Sequence, residues 1–256
     1  MKTPLILDLD FTLIHLEYVP DSIEVPGRTR SAWLAPQTVE ALGELQSRFE
    51  IVLATARSWD GTRWIADGLN QRGVKVESVV IEDGARLGKV GELRAFEPTF
   101  DVVKVRETLV AQSDWPAFEW QLDFQSCVVA RCQTPDLAAE LMAIFAAQSA
   151  LQSFNPRFYR DGRKVYTLPR AADKWSALQR LLGERAARAA GVGDGENDLV
   201  WLPNVAFPAT FSDANAALIQ AVRARGGFVG GMRGHEAICD ILFRAEARRR
   251  RENKEI

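Results

Sequence analysis

The sequence predicts an α/β protein: a parallel sheet covered by helices on both faces and interrupted by an α+β insert. Three observations carry that prediction. Short, unalternated apolar runs, LILDLD (5–10), IVLATA (51–56) and VESVVIED (76–83), are separated by amphipathic stretches. Strands buried on both faces and joined by helices read this way. After Gly84 the rhythm gives way to longer, partly alternating strands and a hairpin signal, and it resumes at DKWSALQRLLGE (173–184).

Taken in order, LILDLD is a buried strand whose aliphatic run ends at Asp8 and Asp10. APQTVEALGELQSRF (35–49) places Val39, Leu42, Leu45 and Phe49 on one helical face. IVLATA is the second strand, and RWIADGLNQRG (63–73) is a helix stopped by Gly73. VESVVIED is the third strand. In the insert, FEWQLDFQSCVVARCQ (118–133) reads as strand and PDLAAELMAIFAAQSAL (135–151) as helix. RFYRDGRKVYTL (157–168) reads as a hairpin turning around Asp161-Gly162. After the helix at 173–184 come AAGVGDGEND (189–198), VAFPAT (205–210), an Ala-rich helix near 213–224 and HEAICDILFRAEARRRR (235–251). The expected division is a core of residues 1–84 and 169–256 and an inserted cap of residues 85–168.

Composition excludes several classes. The 256 residues are 47% hydrophobic and 26% charged, ordinary for a globular chain, and long enough for a core plus a smaller domain. A net charge of −2 offers no basic field for nucleic acid. The ARRRREN tail reads as a solvated helix end. Cys127, Cys132 and Cys239 are odd in number and lack metal-ligand spacing, as expected of thiols in a reducing cytoplasm. Asp8 interrupts the N-terminal apolar stretch, which rules against a signal segment. No apolar run reaches the roughly 20 residues needed to span a bilayer. The expectation is a cytoplasmic protein that engages neither membrane nor nucleic acid. Nothing in the sequence sets an oligomeric state.

The chemistry lies in two carboxylates that a buried strand should not carry. An unpaired buried carboxylate costs several kcal/mol or more, so Asp8 and Asp10 need compensation. In a parallel sheet they fall at the C-terminal edge, where open α/β sheets bind ligands. Thr12 follows them, Thr55 ends the second strand, Lys174 opens the helix after the insert, and Asp194, Asn197 and Asp198 follow another short apolar stretch. Several converging carboxylates repel unless a cation sits among them. Oxygen ligands with a phosphate are what Mg²⁺ prefers, and Lys174 and Thr55 suit phosphoryl oxygens. A carboxylate nucleophile in such a set can form an aspartyl-phosphate.

DLDFTL (8–13), LATAR (53–57), Lys174 and GDGEND (193–198) resemble the four ordered motifs of the haloacid dehalogenase (HAD) superfamily of phosphatases. The resemblance covers the core, and the long insert resembles the second cap class of the subgroup that holds sugar phosphatases and phosphomannomutase. VIEDGARLG (80–88) is similar to the segment at the cap entry, often with Asn where Asp83 stands. The resemblance implies a Rossmann-like core with a type-2 cap and Mg²⁺-dependent hydrolysis of a small phosphorylated metabolite, a sugar or glycosyl phosphate. It implies Asp8 as nucleophile and metal ligand, and Asp10 as general acid and base with its carbonyl on the metal. Asp194 and Asp198 would bind the metal, the latter directly or through water. Thr55, Lys174 and Asn197 would hold phosphate, and Thr12 would fix the turn. Many relatives have Gly where Phe11 stands.

Arg57, Arg160 and Arg163 are candidate substrate contacts. Trp115, Trp120 and Phe158 suit core packing, with a sugar pocket as the other reading, and His15 and His235 read as structural. A phosphomutase of the same fold shares the residue set. A receiver-like regulatory domain also uses strand-end aspartates, Mg²⁺, Thr and Lys, but needs no long insert.

Overall fold

The computed structural model describes residues 2–27, 30–110 and 117–252. In chain order the elements are β1 (Thr3–Leu7), β2 (Ile23–Val25), β3 (Ala32–Leu34), α1 (Pro36–Leu45), β4 (Phe49–Ala54), α2 (Trp59–Gln71) and β5 (Val76–Ile81). There follow β6 (Arg86–Lys89), β7 (Glu92–Ala95), α3 (Val102–Val110), β8 (Phe118–Gln121), β9 (Val128–Cys132), α4 (Pro135–Ala147), β10 (Pro156–Asp161) and β11 (Lys164–Pro169). The chain ends with α5 (Lys174–Leu182), β12 (Ala190–Val192), β13 (Phe207–Thr210), α6 (Ala216–Ala224), β14 (Phe228–Val229) and α7 (His235–Glu252).

The main sheet runs β14-β13-β12-β1-β4-β5-β6-β7, with the first six strands parallel. The lack of alternation in β1 has a direct cause: successive side chains enter different cores. Leu5 and Leu7 pack with Val39, Leu42, Ile65, Leu69 and Ile241, while Ile6 packs with Ala177, Leu178, Leu218 and Val222. Strand order reverses at β1, where the chain runs outward through β4 and β5 and returns on the other side through β12. A crevice opens at such a switch point, outside the carboxyl ends of the strands.

The insert forms a second, antiparallel sheet, β10-β11-β9-β8. One face packs on α3 and α4 through Phe118, Trp120, Val128, Ala130, Leu141 and Phe145. The other lies against the core, where Tyr166, Leu168, Val129 and Phe124 join the cluster that contains Ile6.

Three local expectations change. The β6–β7 hairpin, read as part of the insert, hydrogen-bonds antiparallel to β5 and extends the core sheet. The separate α+β unit therefore begins at α3 rather than at residue 85. The FEWQ and VVARC stretches form two strands, because the chain turns and bends between Leu122 and Cys127. The hairpin loop is Gly162-Arg163, one residue beyond the expected pair, since Asp161 pairs with Lys164 and the positive φ of 54° falls on Gly162. The β2–β3 hairpin and α3 had no clear sequence signal; β2 and β3 have three residues each. Among the described residues no helix is long and apolar enough to cross a membrane.

Candidate active site

The crevice is built by strand ends. Leu7 pairs with Leu53 on one side and Val192 on the other, so Asp8, Thr55 and Asp194 emerge from adjacent strands. After β1 the backbone turns sharply: the N–H groups of Thr12, Leu13 and Ile14 all donate to Leu9 O, at 3.0–3.2 Å. This turn brings both aspartates to the same edge and puts Phe11 in the left-handed region, φ 58°. A bulky side chain there costs roughly 1–2 kcal/mol.

Lys174 is the centre of the site. Its side chain is 0% exposed, and its Nζ donates to Asp8 Oδ1 at 2.8 Å and Asp198 Oδ1 at 2.7 Å. Burial alone would push the ammonium pKa down, but Asp198 and Asp8 outweigh it and hold the pKa above the ordinary lysine value. Local structure places it there. Asp173 caps α5 by accepting from Ser176 N, and the turn between β5 and β6 crosses the same point. A Cβ on Gly84, at φ 93°, would lie 2.2 Å from the Asp173 carbonyl carbon and oxygen. Only glycine lets this turn pass the start of α5 so closely.

Asp198 is fully engaged. Its Oδ1 accepts from Lys174 and from Trp201 Nε1 (2.8 Å), and its Oδ2 from the backbone N–H groups of Asp194 (2.9 Å) and Gly195 (3.0 Å). A carboxylate offers about four lone-pair sites, and these donors fill them. Asp198 thus organises the GDGEND turn. Gly193 has the same origin, because a Cβ there would meet Asp198 Oδ2 at 2.5 Å.

Asp8, Asp194 and Asp198 each offer an oxygen within 4.8 Å of the others. Desolvation, with Asp198 and Asp194 nearby, raises the Asp8 pKa against the pull of Lys174. Desolvation and Asp198 raise Asp194 to about 6, opposed by Arg233. Two carboxylates that resist ionisation side by side form a donor set that suits a hard divalent cation. Asp8 and Asp194 could hold such an ion directly, while the lone pairs of Asp198 are already taken.

Asp10 points elsewhere. Arg57 grips it with two hydrogen bonds, Nε to Oδ2 at 2.8 Å and Nη2 to Oδ1 at 2.7 Å. Desolvation acts to raise the Asp10 pKa, but Arg57 prevails and holds it below the usual carboxylate range. Thr55 is buried and its Oγ1 accepts from Arg57 N at 3.2 Å, so the hydroxyl helps orient that arginine. Thr12 Oγ1 donates to Asp194 Oδ1 at 3.4 Å.

Other candidates lie apart. Lys174 bonds to Asp8 and Asp198, not to Asn197. Arg160 donates to Pro135 O at the start of α4 and to Gly162 O in the hairpin loop, and Arg163 donates to Gln133 O, so both are held within the insert. Trp120 stacks on Phe145, and Phe158 packs in the same cluster. Trp115 lies outside the described residues. His15 and His235 are buried edge to face, centroids 4.8 Å apart.

Sequence reasoning missed Arg233, whose Nη1 donates to Asp194 Oδ2 at 2.7 Å. It also missed Glu82, fully buried, which accepts from Gln125 N and Ser126 N of the insert. One signal was available for Arg233: the loop after a parallel strand opens on the ligand edge, and GGMRGHE (230–236) follows β14.

No family model matches the sequence, and no curated protein matches it. Solved structures do. A haloacid dehalogenase-like hydrolase from Bacteroides thetaiotaomicron superposes with a TM-score of 0.66 at 14% identity, over 95% of this chain and 99% of that one. The chain has the haloacid dehalogenase fold. Another structure with this fold, a HAD subclass IIB sugar phosphatase, gives a TM-score of 0.66 at 14% identity over 95% and 98% of the two chains. A trehalose-6-phosphate phosphatase related protein gives 0.61 at 16% over 97% and 100%. Insert and core are both covered, so the haloacid dehalogenase fold here includes the cap.

Proposed function

We propose that this chain is a Mg²⁺-dependent phosphomonoester hydrolase working through an aspartyl-phosphate. The observation that carries it is the burial of one ammonium between Asp8 and Asp198, beside Asp194, while a separate carboxylate, Asp10, is held at the crevice by Arg57. Nucleophile and acid/base thus have different environments, as two-step phosphoryl transfer requires.

In this reading an Asp8 oxygen attacks phosphorus, the bond to the leaving alcohol breaks, and protonated Asp10 delivers its proton to that oxygen. Water, deprotonated by Asp10, then attacks the same phosphorus, releasing inorganic phosphate and restoring Asp8. Lys174 has three donors and spends two on carboxylates, leaving the third for a phosphoryl oxygen. A Mg²⁺ held by Asp8 and Asp194 would neutralise charge on the carboxylates and the phosphoryl group. Because Arg57 favours ionised Asp10, the acid step requires Arg57 to release it. A substrate oxygen drawing Arg57 away would do this.

The cap and the likeness to sugar phosphatases support a phosphorylated sugar or glycosyl compound as substrate. The test is phosphate release from a panel of phosphorylated metabolites with Mg²⁺, comparing wild type with Asp8→Asn. No release by wild type, or equal release by both, defeats the reading. Phosphate appearing on a second hydroxyl rather than free would make the enzyme a mutase.

A further inference from the structure

We propose that Arg233 is the positioning residue for Asp194: anchored by Asp213 and seated on Phe11, it fixes Asp194 Oδ2 and so presents Oδ1 to the divalent cation. The inference rests on the Mg²⁺ reading above and extends it to residues outside the four motifs.

Arg233 is itself held at three points. Its backbone N donates to Asp213 Oδ1 at 2.7 Å, its Nε to Asp213 Oδ2 at 3.2 Å, and its guanidinium carbon lies 5.4 Å from the Phe11 ring centroid. Backbone and side chain therefore bind the same carboxylate, which leaves the guanidinium little freedom. The planar fork then spans two acids, with Asp213 on Nε and Asp194 Oδ2 on Nη1 at 2.7 Å.

The surrounding loop is equally tied down. Gly230 N donates to Thr210 O at 2.8 Å, and Ser212 N donates to Gly231 O at 3.0 Å. The His235 ring meets His15 edge on, and its Nε2 lies 3.2 Å from Glu17 O. The loop that carries Arg233 is thus joined both to the end of β13 and to the segment at His15–Glu17 that follows the Asp8–Asp10 turn.

With Oδ2 fixed by Arg233 and Oδ1 facing Thr12 Oγ1 at 3.4 Å, one face of Asp194 remains for a metal. Hydrogen-bond partners behind a ligand set its orientation, and losing one typically weakens metal binding about 10–100-fold. Phe11 acquires a reason here. A left-handed position that glycine would occupy without strain carries an aromatic ring because that ring seats the arginine.

The test is Mg²⁺ titration by isothermal calorimetry on the full chain, with substrate absent. Arg233→Ala is expected to weaken binding about ten-fold or more. Arg233→Lys, which keeps the charge and loses the fork, should also bind more weakly than wild type. Asp213→Asn touches neither metal nor substrate and should weaken binding in the same direction, which covers the case in which Arg233→Ala fails to fold. Unchanged or tighter binding in the folded Arg233→Ala or Asp213→Asn protein overturns the proposal, because a mere competitor for Asp194 would raise affinity when removed. Wild-type affinity in Arg233→Lys overturns it as well, since charge alone would then suffice. If wild type shows no saturable binding, the metal reading itself fails and this inference with it. If wild type binds and Arg233→Ala binds equally, only this inference fails.

Discussion

Arg57 meets Asp10 in a two-point pair, Nε on Oδ2 and Nη2 on Oδ1, 2.8 and 2.7 Å long, at the half-exposed mouth of the crevice. The pair joins the end of β4 to the turn after β1 and keeps Asp10 ionised. We predict that Arg57→Ala raises the Asp10 pKa; because Asp10 must carry a proton when the alcohol leaves, the alkaline limb of kcat/KM against pH moves upward. A limb that stays in place or moves down refutes the role given to Arg57.

Asp10→Asn should cost only modest stability, because the Asp10 carboxylate is half-exposed although Arg57 holds it at two points. Turnover should fall by about 10²–10⁴-fold, the usual contribution of a general acid or base. Steady-state phosphate release and a urea melt on the same preparation check both halves; a large loss of stability with activity retained contradicts the assignment.

Lys174→Ala should be far more damaging. It leaves Asp8 and Asp198 facing each other without their shared cation, and breaking such a buried unit costs about 3–5 kcal/mol. Denaturant unfolding should show a loss of this size, together with loss of phosphate release. A variant as stable as wild type would mean that the lysine does not hold these carboxylates.

Mg²⁺ affinity should depend on pH. Asp194 titrates near 6 and Asp8 well above an ordinary aspartate, and a proton on either excludes the metal. Affinity should therefore fall as pH drops from 7.5 to 5.5, with proton uptake from buffer when metal leaves. Equal dissociation constants at the two pH values contradict this.

His15 supplies an acid-sensitive contribution to stability. Desolvation and His235 lower its pKa from 6.5 to about 4. Between those values the unfolded chain binds the proton and the folded chain does not, so stability rises with pH through the window and is lost as pH falls. From pH 7 to 4.5 the loss due to His15 should be about 2 kcal/mol. His15→Gln should show a correspondingly smaller drop in urea melts over that range.

Much of this molecule was readable from residue order. Unalternated runs announced the parallel strands because both their faces are buried, and Asp8 and Asp10, just past the end of β1, marked a candidate site because folding alone gives no reason to keep them. The placement of Lys174 beside Asp8 was not local information, since 166 positions separate the two. It depends on the turn at Gly84, after β5, passing close against Asp173 at the start of α5. The β6–β7 hairpin shows the same limit: its pattern suits any antiparallel pair, and only its pairing with β5 assigns it to the core.

Sequence by itself determined the strand-helix rhythm and the chemistry available at the strand ends, because side-chain periodicity and residue type are properties of the chain. Tertiary structure alone decided which charges neutralise which. It gave Asp198 to Lys174 and Trp201, Asp10 to Arg57, and Asp194 to Arg233. The physical reason is that a carboxylate's pKa and free lone pairs depend on what lies within about 4 Å of it, and those neighbours come from segments far apart in the sequence.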